Sequence, residues 1–163
     1  MSNQHWNLTA TQTINLGQPE APHHLIAILN LACPDTREWW LRNQLDLLTA
    51  TANGQLMAHL KFWSKPKESL RNGNVAHHYI NYQDQAGALA FAQQVFEEQS
   101  ALRELELDDV PAYLQATYDV TVNPSAAAIE ASMAQQIADN EVETVPTLVI
   151  DGRQLTGDEL EAV

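Results

Sequence analysis

The sequence predicts an α/β fold with the element order β-β-α-β, a helical block, then β-β-α. Three observations lead to this order: a strand–helix–strand pattern over residues 24–62, helical patterns over residues 72–140, and a strand–turn–strand pattern over residues 147–155. At 163 residues the chain is long enough for one domain with a substantial core and too short for two. We therefore expect a single domain that covers residues 1–163.

The strands of the first half follow from their apolar patterns. Residues 11–16 are typical of a short edge strand that is closed by Gly17. Residues 24–31 form a nearly continuous apolar run, as expected for a strand buried on both faces, and residues 56–62 alternate as a strand does. The segment between these two strands predicts a parallel βαβ unit with a right-handed crossover.

The helix of this unit is predicted to run from Pro34 to about residue 51 and to end near Asn53-Gly54. Proline at the first helical position and an acidic residue, Asp35, in the first turn are good initiation signals. Its larger apolar residues recur at helical spacing, so we expect them to face the sheet. They are Trp40, Leu41, Leu45 and Leu48.

Four helices are predicted in the block that follows. The first opens at residues 72–74, the second contains Leu89 and Phe96, the third covers the stripe at 110–118, and the fourth follows an N-cap at Asn123-Pro124. After the block, Asp151-Gly152 predicts a hairpin turn between two short strands, and Gly157 begins a last short helix.

Charge and composition exclude several functions. Residues 1–82 carry six Lys/Arg against five Asp/Glu, whereas residues 83–163 carry two against sixteen, and the formal net charge is −13. An acidic surface repels phosphate backbones, so we expect no nucleic-acid partner. Apolar runs are too short to span a membrane, the first residues do not form a secretory signal, and one cysteine cannot form an internal disulfide. We expect a cytoplasmic protein without membrane contact, and the sequence leaves the oligomeric state open.

The single cysteine is the main candidate for chemistry. Cys33 directly precedes the helix-starting Pro34, where the unpaired N–H groups and the positive end of the helix dipole favour a thiolate. Thr36 lies on the same face, so its hydroxyl is expected to donate a hydrogen bond to the sulfur, while the charge of Asp35 opposes thiolate formation. The alternative is that Cys33 is an inert buried residue. No metal-ligand spacing is present, and we expect no metal site.

A second motif, Thr144-Val145-Pro146-Thr147, stands just before a predicted strand. Proline is poorly tolerated inside a central strand, so Pro146 marks a junction. A cis peptide bond there would leave the preceding backbone groups free to pair with an extended ligand.

Together, LNLACPDTREWW, the helical block and VETVPTLVIDGRQLTG resemble the DsbA-like branch of the thioredoxin superfamily over about residues 11–160. The resemblance implies a thioredoxin-like fold with a helical insertion, residues 64–141, between its βαβ and ββα halves. It implies thiol–disulfide exchange with Cys33 as the nucleophile and Thr36 in the position of the second catalytic residue. Pro34, Asp35, Val145 and Pro146 would then contact the substrate.

The departure from the family pattern is that Thr36 replaces the second cysteine of the usual Cys-x-x-Cys motif. A lone chain without a resolving thiol cannot hold an internal disulfide, so the resemblance implies monothiol chemistry through a mixed disulfide. Disulfide-containing proteins or small-molecule thiols would be the partners, with glutathione as a possible reductant and no bound cofactor. The alternatives are a degenerate module that binds peptides or a partner without turnover, and, less favoured, a kappa-like glutathione transferase.

Overall fold

A computed structural model describes residues 5–157, and five strands in this part of the chain form one mixed sheet. The strands are β1 (Ile14–Leu16), β2 (His23–Leu29), β3 (Leu56–Phe62), β4 (Thr147–Ile150) and β5 (Arg153–Leu155). Their spatial order is β1-β3-β2-β4-β5, in which β2 and β3 are parallel and the other neighbouring pairs are antiparallel. The predicted edge strand, parallel unit and C-terminal hairpin are confirmed.

Six helices accompany the sheet within residues 5–157. They are α1 (Pro34–Ala52), α2 (Arg71–His77), α3 (Gln85–Glu97), α4 (Gln99–Arg103), α5 (Val110–Tyr118) and α6 (Ala126–Asp139), with 3-10 turns at Glu68–Leu70 and Leu107–Asp109. Only α1 belongs to the parallel unit; the others lie between β3 and β4 in the chain. This is the mixed α/β fold that the sequence predicts. The predicted helix after Gly157 lies outside the described residues.

Three details of the helices differ from the prediction. The block has five helices and not four, because the short α4 was not predicted. The last predicted helix, α6, begins at Ala126, with Ser125 as its N-cap, because Asn123 forms a separate turn in which its side-chain oxygen accepts from the Ser125 N–H. In α1, Leu45 is 75% exposed and does not face the sheet, so that prediction was wrong. The rest of the predicted stripe does pack inward: Trp40 is buried, and Leu41 and Leu48 are partly buried against the core. Trp39 and Leu47, outside that stripe, are buried as well.

The core lies on both faces of the central strands. Every residue from Leu25 to Leu29 is buried, as expected for a strand covered on two sides. β2 ends at Leu29, and the chain then makes a turn through residues 30–33 before α1 begins. That turn stands at the carboxyl end of the most buried strand, beside the segment that enters β4. Within residues 5–157 no helix is long and apolar enough to cross a membrane.

Candidate functional site

Cys33 is the N-cap residue of α1, and Pro34 is the first residue of the helix. Its backbone is extended, its carbonyl accepts the first helical hydrogen bond from the Arg37 N–H at 3.0 Å, and its side chain does not cap the helix. The sulfur is therefore not committed to the helix backbone. It stands where the first-turn N–H groups and the dipole of a 19-residue helix favour negative charge.

The segment before β4 reaches the sulfur. The Cys33 thiol donates to the carbonyl oxygen of Val145 at 3.5 Å, and the Val145–Pro146 peptide bond is cis. Val145 and Pro146 are both buried, and Cys33 is 7% exposed. The fold thus brings the two sequence motifs, Cys33-Pro34 and Val145-Pro146, into direct contact.

Thr36 lies in the first turn of α1, as predicted, but its hydroxyl does not act as predicted. Its side chain is fully buried, and its oxygen has no hydrogen-bond partner among the described residues. The expected donation to the sulfur is therefore absent, and the only hydrogen bond of the Cys33 thiol among the described residues is its donation to the Val145 carbonyl. Thr36 thus carries an unused donor three residues after Cys33, in the first turn of the helix.

An open cleft of about 390 Å³ adjoins the thiol. Asp35, Trp39 and Arg42 from α1 line one side of the cleft, and Val145 and Pro146 line the other. Cys33 is not part of this lining but lies beside it, two residues before Asp35 in the chain and in contact with Val145. A larger cavity of about 640 Å³ lies between α3 and residues 118–125, away from these residues. We assign the smaller cleft to the site because it adjoins the reactive group.

The turn before Cys33 is held by side chains that the sequence analysis did not single out. Gln99 donates through Nε2 to the carbonyls of Leu31, at 2.8 Å, and Cys33, at 3.0 Å, and Arg103 donates to the carbonyl of Ala32. The Ala32 N–H donates in turn to the side-chain oxygen of Asn30 at 2.9 Å. No motif in the sequence marks Gln99 or Arg103, because both act on residues 66 to 71 positions away.

His77, at the end of α2, supports the same turn as an acceptor. The Leu31 N–H donates to its Nε2 at 3.1 Å, so Nε2 carries no proton and Nδ1 donates to Ser64 Oγ at 2.9 Å. Burial, with a smaller effect of His78, lowers the pKa of His77 to about 3. His77 is therefore neutral at physiological pH, as its acceptor role requires.

The helix α2 approaches the turn closely at Gly73. A Cβ atom at this position would lie 2.5 Å from the Asn30 side-chain oxygen and 2.6 Å from both the backbone nitrogen and the Cβ of Ala32. Only glycine permits this contact without a shift of the neighbours. The adjacent Asn74 accepts from Asn30 Nδ2 at 2.9 Å, which joins the same helix to the turn.

Within residues 5–157 no group of three or more His, Cys, Asp or Glu side chains is arranged to hold a metal ion. His23, at the start of β2, pairs at 2.9 Å with Asp151 of the turn between β4 and β5. Cys33 follows the other end of β2.

The family model described as Thioredoxin matches residues 9–162 of this chain. The chain belongs to the thioredoxin family. Thiol–disulfide oxidoreduction is the class of activity that this membership supports. No curated protein matches the chain.

Solved structures agree with the family in fold. A conserved protein of unknown function from Enterococcus faecalis is 27% identical, with a TM-score of 0.84, and the match covers 96% of this chain and 86% of that one. The catalytic domain of ScsC from Proteus mirabilis is 15% identical, with a TM-score of 0.68 over 90% of this chain and 81% of that domain. A periplasmic thioredoxin-like protein from Salmonella enterica serovar Typhimurium is 14% identical, with a TM-score of 0.69 over 99% and 92%.

Proposed function

We propose that this thioredoxin-family chain is a monothiol thiol–disulfide oxidoreductase or isomerase whose nucleophile is Cys33. The observation that supports it most is the contact of the Cys33 thiol with the Val145 carbonyl at 3.5 Å. The Val145 oxygen loses this donor when Cys33 ionises, which the start of α1 favours, and it then offers an extended peptide a place to pair. The adjoining cleft leaves room for that peptide.

The proposed reaction begins when the Cys33 thiolate attacks one sulfur of a disulfide. A new sulfur–sulfur bond forms between Cys33 and that sulfur, and the other sulfur leaves as a thiolate that takes a proton from water. An outside thiolate, of which glutathione is an example, then attacks the substrate sulfur of the mixed disulfide. Cys33 is released as a thiolate, and one disulfide has been exchanged for another with no net gain or loss of electrons.

We propose monothiol chemistry because the chain has one cysteine. The proposed partners are therefore disulfide-containing proteins and small-molecule thiols, and the chain itself needs no bound cofactor. The cycle depends on a supply of reduced thiol, which fits our proposal of a cytoplasmic location. The proposed role of Thr36 is to donate its free hydroxyl to the sulfur once Cys33 is deprotonated and no longer donates to Val145.

A second candidate is a module that binds an extended peptide in the cleft without turnover. The observation that favours it is the 7% exposure of Cys33, together with the lack of a resolving cysteine. In this alternative the Val145 segment would bind ligand while the thiol stays enclosed.

The two candidates differ in the reactivity of the thiol. Alkylation of Cys33 with iodoacetamide at pH 7 is expected to be faster than that of free cysteine, because the start of α1 favours the thiolate. A peptide activated as its mixed disulfide with 2-thiopyridine should then transfer to Cys33 and release the pyridinethione. Cys33→Ser is the matched control, which should keep the fold and release none. Slower labelling of Cys33 than of free cysteine, or equal release by Cys33→Ser, would leave the binding module as the better account.

A further inference from the structure

The turn that precedes Cys33 has a partner for each of its backbone polar groups from Leu31 to Cys33. The two N–H groups nearest the cysteine are satisfied within the turn: Ala32 donates to the Asn30 side chain, and Cys33 donates to the Asn30 carbonyl at 3.2 Å. The remaining groups depend on side chains from outside it. The Leu31 N–H donates to His77, the carbonyls of Leu31 and Cys33 accept from Gln99, and the Ala32 carbonyl accepts from Arg103.

Gln99 differs from the other side chains because its amide nitrogen donates to both ends of the segment from Leu31 to Cys33. Its Nε2 lies 2.8 Å from the Leu31 oxygen and 3.0 Å from the Cys33 oxygen, and the residue is 3% exposed. The Cys33 carbonyl also accepts the Arg37 N–H that starts α1. Gln99 therefore fixes the last residue of the turn and the first bond of the helix together.

The helical corner that carries Gln99 is tied to α1 by a second contact. Arg37, one turn after Cys33, donates through Nε to the carbonyl of Phe96 at 2.6 Å, near the end of α3. α4 begins at Gln99 immediately after that end. The corner from α3 to α4 thus contacts the cysteine segment on both sides of the N-cap, which leaves little freedom for the Cys33 backbone.

We propose that Gln99 is a positioning residue of the thiol reaction: it holds the Cys33 backbone so that the sulfur stays beside Val145 when a peptide disulfide binds there. This inference rests on the proposed function, and it gives the helical block a part in the chemistry. Sulfur–sulfur exchange requires the three sulfurs to align, and a misplacement of about 1 Å in such an alignment costs up to roughly a hundredfold in rate. A small alkylating reagent needs the thiolate alone and no docking beside Val145.

The test compares two reactions of the same thiol. Gln99→Met keeps the length of the side chain and removes its donor, and it is expected to slow attack on the thiopyridine-activated peptide disulfide about tenfold. Alkylation by iodoacetamide should change less than about twofold, since the start of α1 remains. Gln99→Asn, which keeps an amide but is too short to join both carbonyls, serves where the methionine variant does not fold.

Gln136→Met is the matched control. Gln136 is also a buried glutamine, 5% exposed, whose side chain accepts from the Asn7 N–H at 2.9 Å and donates to Gln12 at 2.8 Å, with no contact to the cysteine turn. Gln136→Met should lower the thermal stability of the chain without altering the ratio of the rate of attack on the peptide disulfide to the rate of alkylation. If the Gln99 variants keep the wild-type ratio, or lose both rates equally, Gln99 does not position the thiol. If the wild-type chain forms no mixed disulfide at all, the proposed function itself fails.

Discussion

The Cys33 thiol donates to the carbonyl of Val145, a residue 112 positions further along the chain. The two residues belong to different halves of the fold: Cys33 follows β2, and Val145 precedes β4. β2 and β4 pair as antiparallel neighbours from Leu25 with Ile150 to Ile28 with Thr147. This pairing brings the end of β2 to the start of β4, so the sheet itself sets the distance between the thiol and the proline segment.

Thr36→Cys is expected to form a reversible disulfide with Cys33. Both positions lie in the first turn of α1, at the spacing of a Cys-x-x-Cys motif, and the Thr36 hydroxyl has no hydrogen bond to lose. The measurement is the loss of free thiol under mild oxidant and its return with reductant. Thr49→Cys, near the other end of the same helix, is the control, since about 1.5 Å per residue places it ~24 Å from Cys33. Persistence of two free thiols in Thr36→Cys under oxidant would contradict the geometry of the site.

The strands and the order of the halves were predictable from the sequence because local patterns determine them. The alternation in residues 56–62, the apolar run at 24–31 and the Asp151-Gly152 turn each reflect their own burial or backbone conformation. Asp151 and Gly152 have φ values of 49° and 88°, as a two-residue hairpin requires. The start of α1 was equally local, since Pro34 and Asp35 mark it without help from the rest of the chain.

The support of the cysteine turn was not predictable in the same way. Gln99 and His77 contact Leu31 from 68 and 46 positions away, and an isolated glutamine or histidine in a helix has no local signal of that contact. Spacing also misassigned one residue of α1, because Leu45 fits the helical period and yet is 75% exposed. Periodicity identifies a helix more surely than it identifies the edges of its buried face.

Gly73→Ala is expected to destabilise the fold although glycine lies inside a helix. Replacing a helical glycine by alanine ordinarily gains about 1 kcal/mol. Here the new Cβ would lie 2.5 Å from the Asn30 oxygen and 2.6 Å from the Ala32 nitrogen, and such overpacking costs about 1–3 kcal/mol. The cost of overpacking exceeds the gain in helix propensity, so the urea concentration at the unfolding midpoint should be lower. The rate of thiol–disulfide exchange at Cys33 should also fall, because the turn before it moves.

Gly54→Ala is the control for this substitution. Gly54 has a φ of +87° and open space around its Cβ position, so alanine there costs backbone strain alone and leaves Cys33 unaffected. A Gly73→Ala chain that is more stable than the wild type would show that α2 does not press against the cysteine turn.

His77 is expected to make stability fall in acid. Burial is the main cause that lowers its pKa to about 3 in the folded chain, from the ordinary 6.5 of histidine in the unfolded chain. Between these values the unfolded chain binds the proton and the folded chain does not, so stability decreases as pH falls from 6.5 to 3. The contribution is at most about 1.4 kcal/mol per pH unit. His77→Gln should reduce this slope in urea unfolding, whereas His5→Gln, at an exposed position, should retain it. An unchanged slope in His77→Gln would contradict the neutral, accepting role of the ring.

Lys61 is expected to make the stability of the fold depend on pH in the alkaline range. Its ammonium lies 2.9 Å from Thr13 Oγ1 and 2.5 Å from the Asn7 carbonyl, and the residue is 1% exposed. Its hydrogen-bond partners among the described residues, which also include the Gln12 carbonyl, are all uncharged oxygens. Burial lowers the pKa of Lys61 to about 7 from 10.5. Between pH 7 and 10.5 the unfolded chain therefore holds a proton that the folded chain has released, and stability rises with pH in this window. Lys61→Met should remove that rise in urea unfolding at pH 7 to 9, while Lys67→Met, which changes an exposed lysine, should keep it. A rise of equal size in both variants would show that the folded chain keeps the Lys61 ammonium charged.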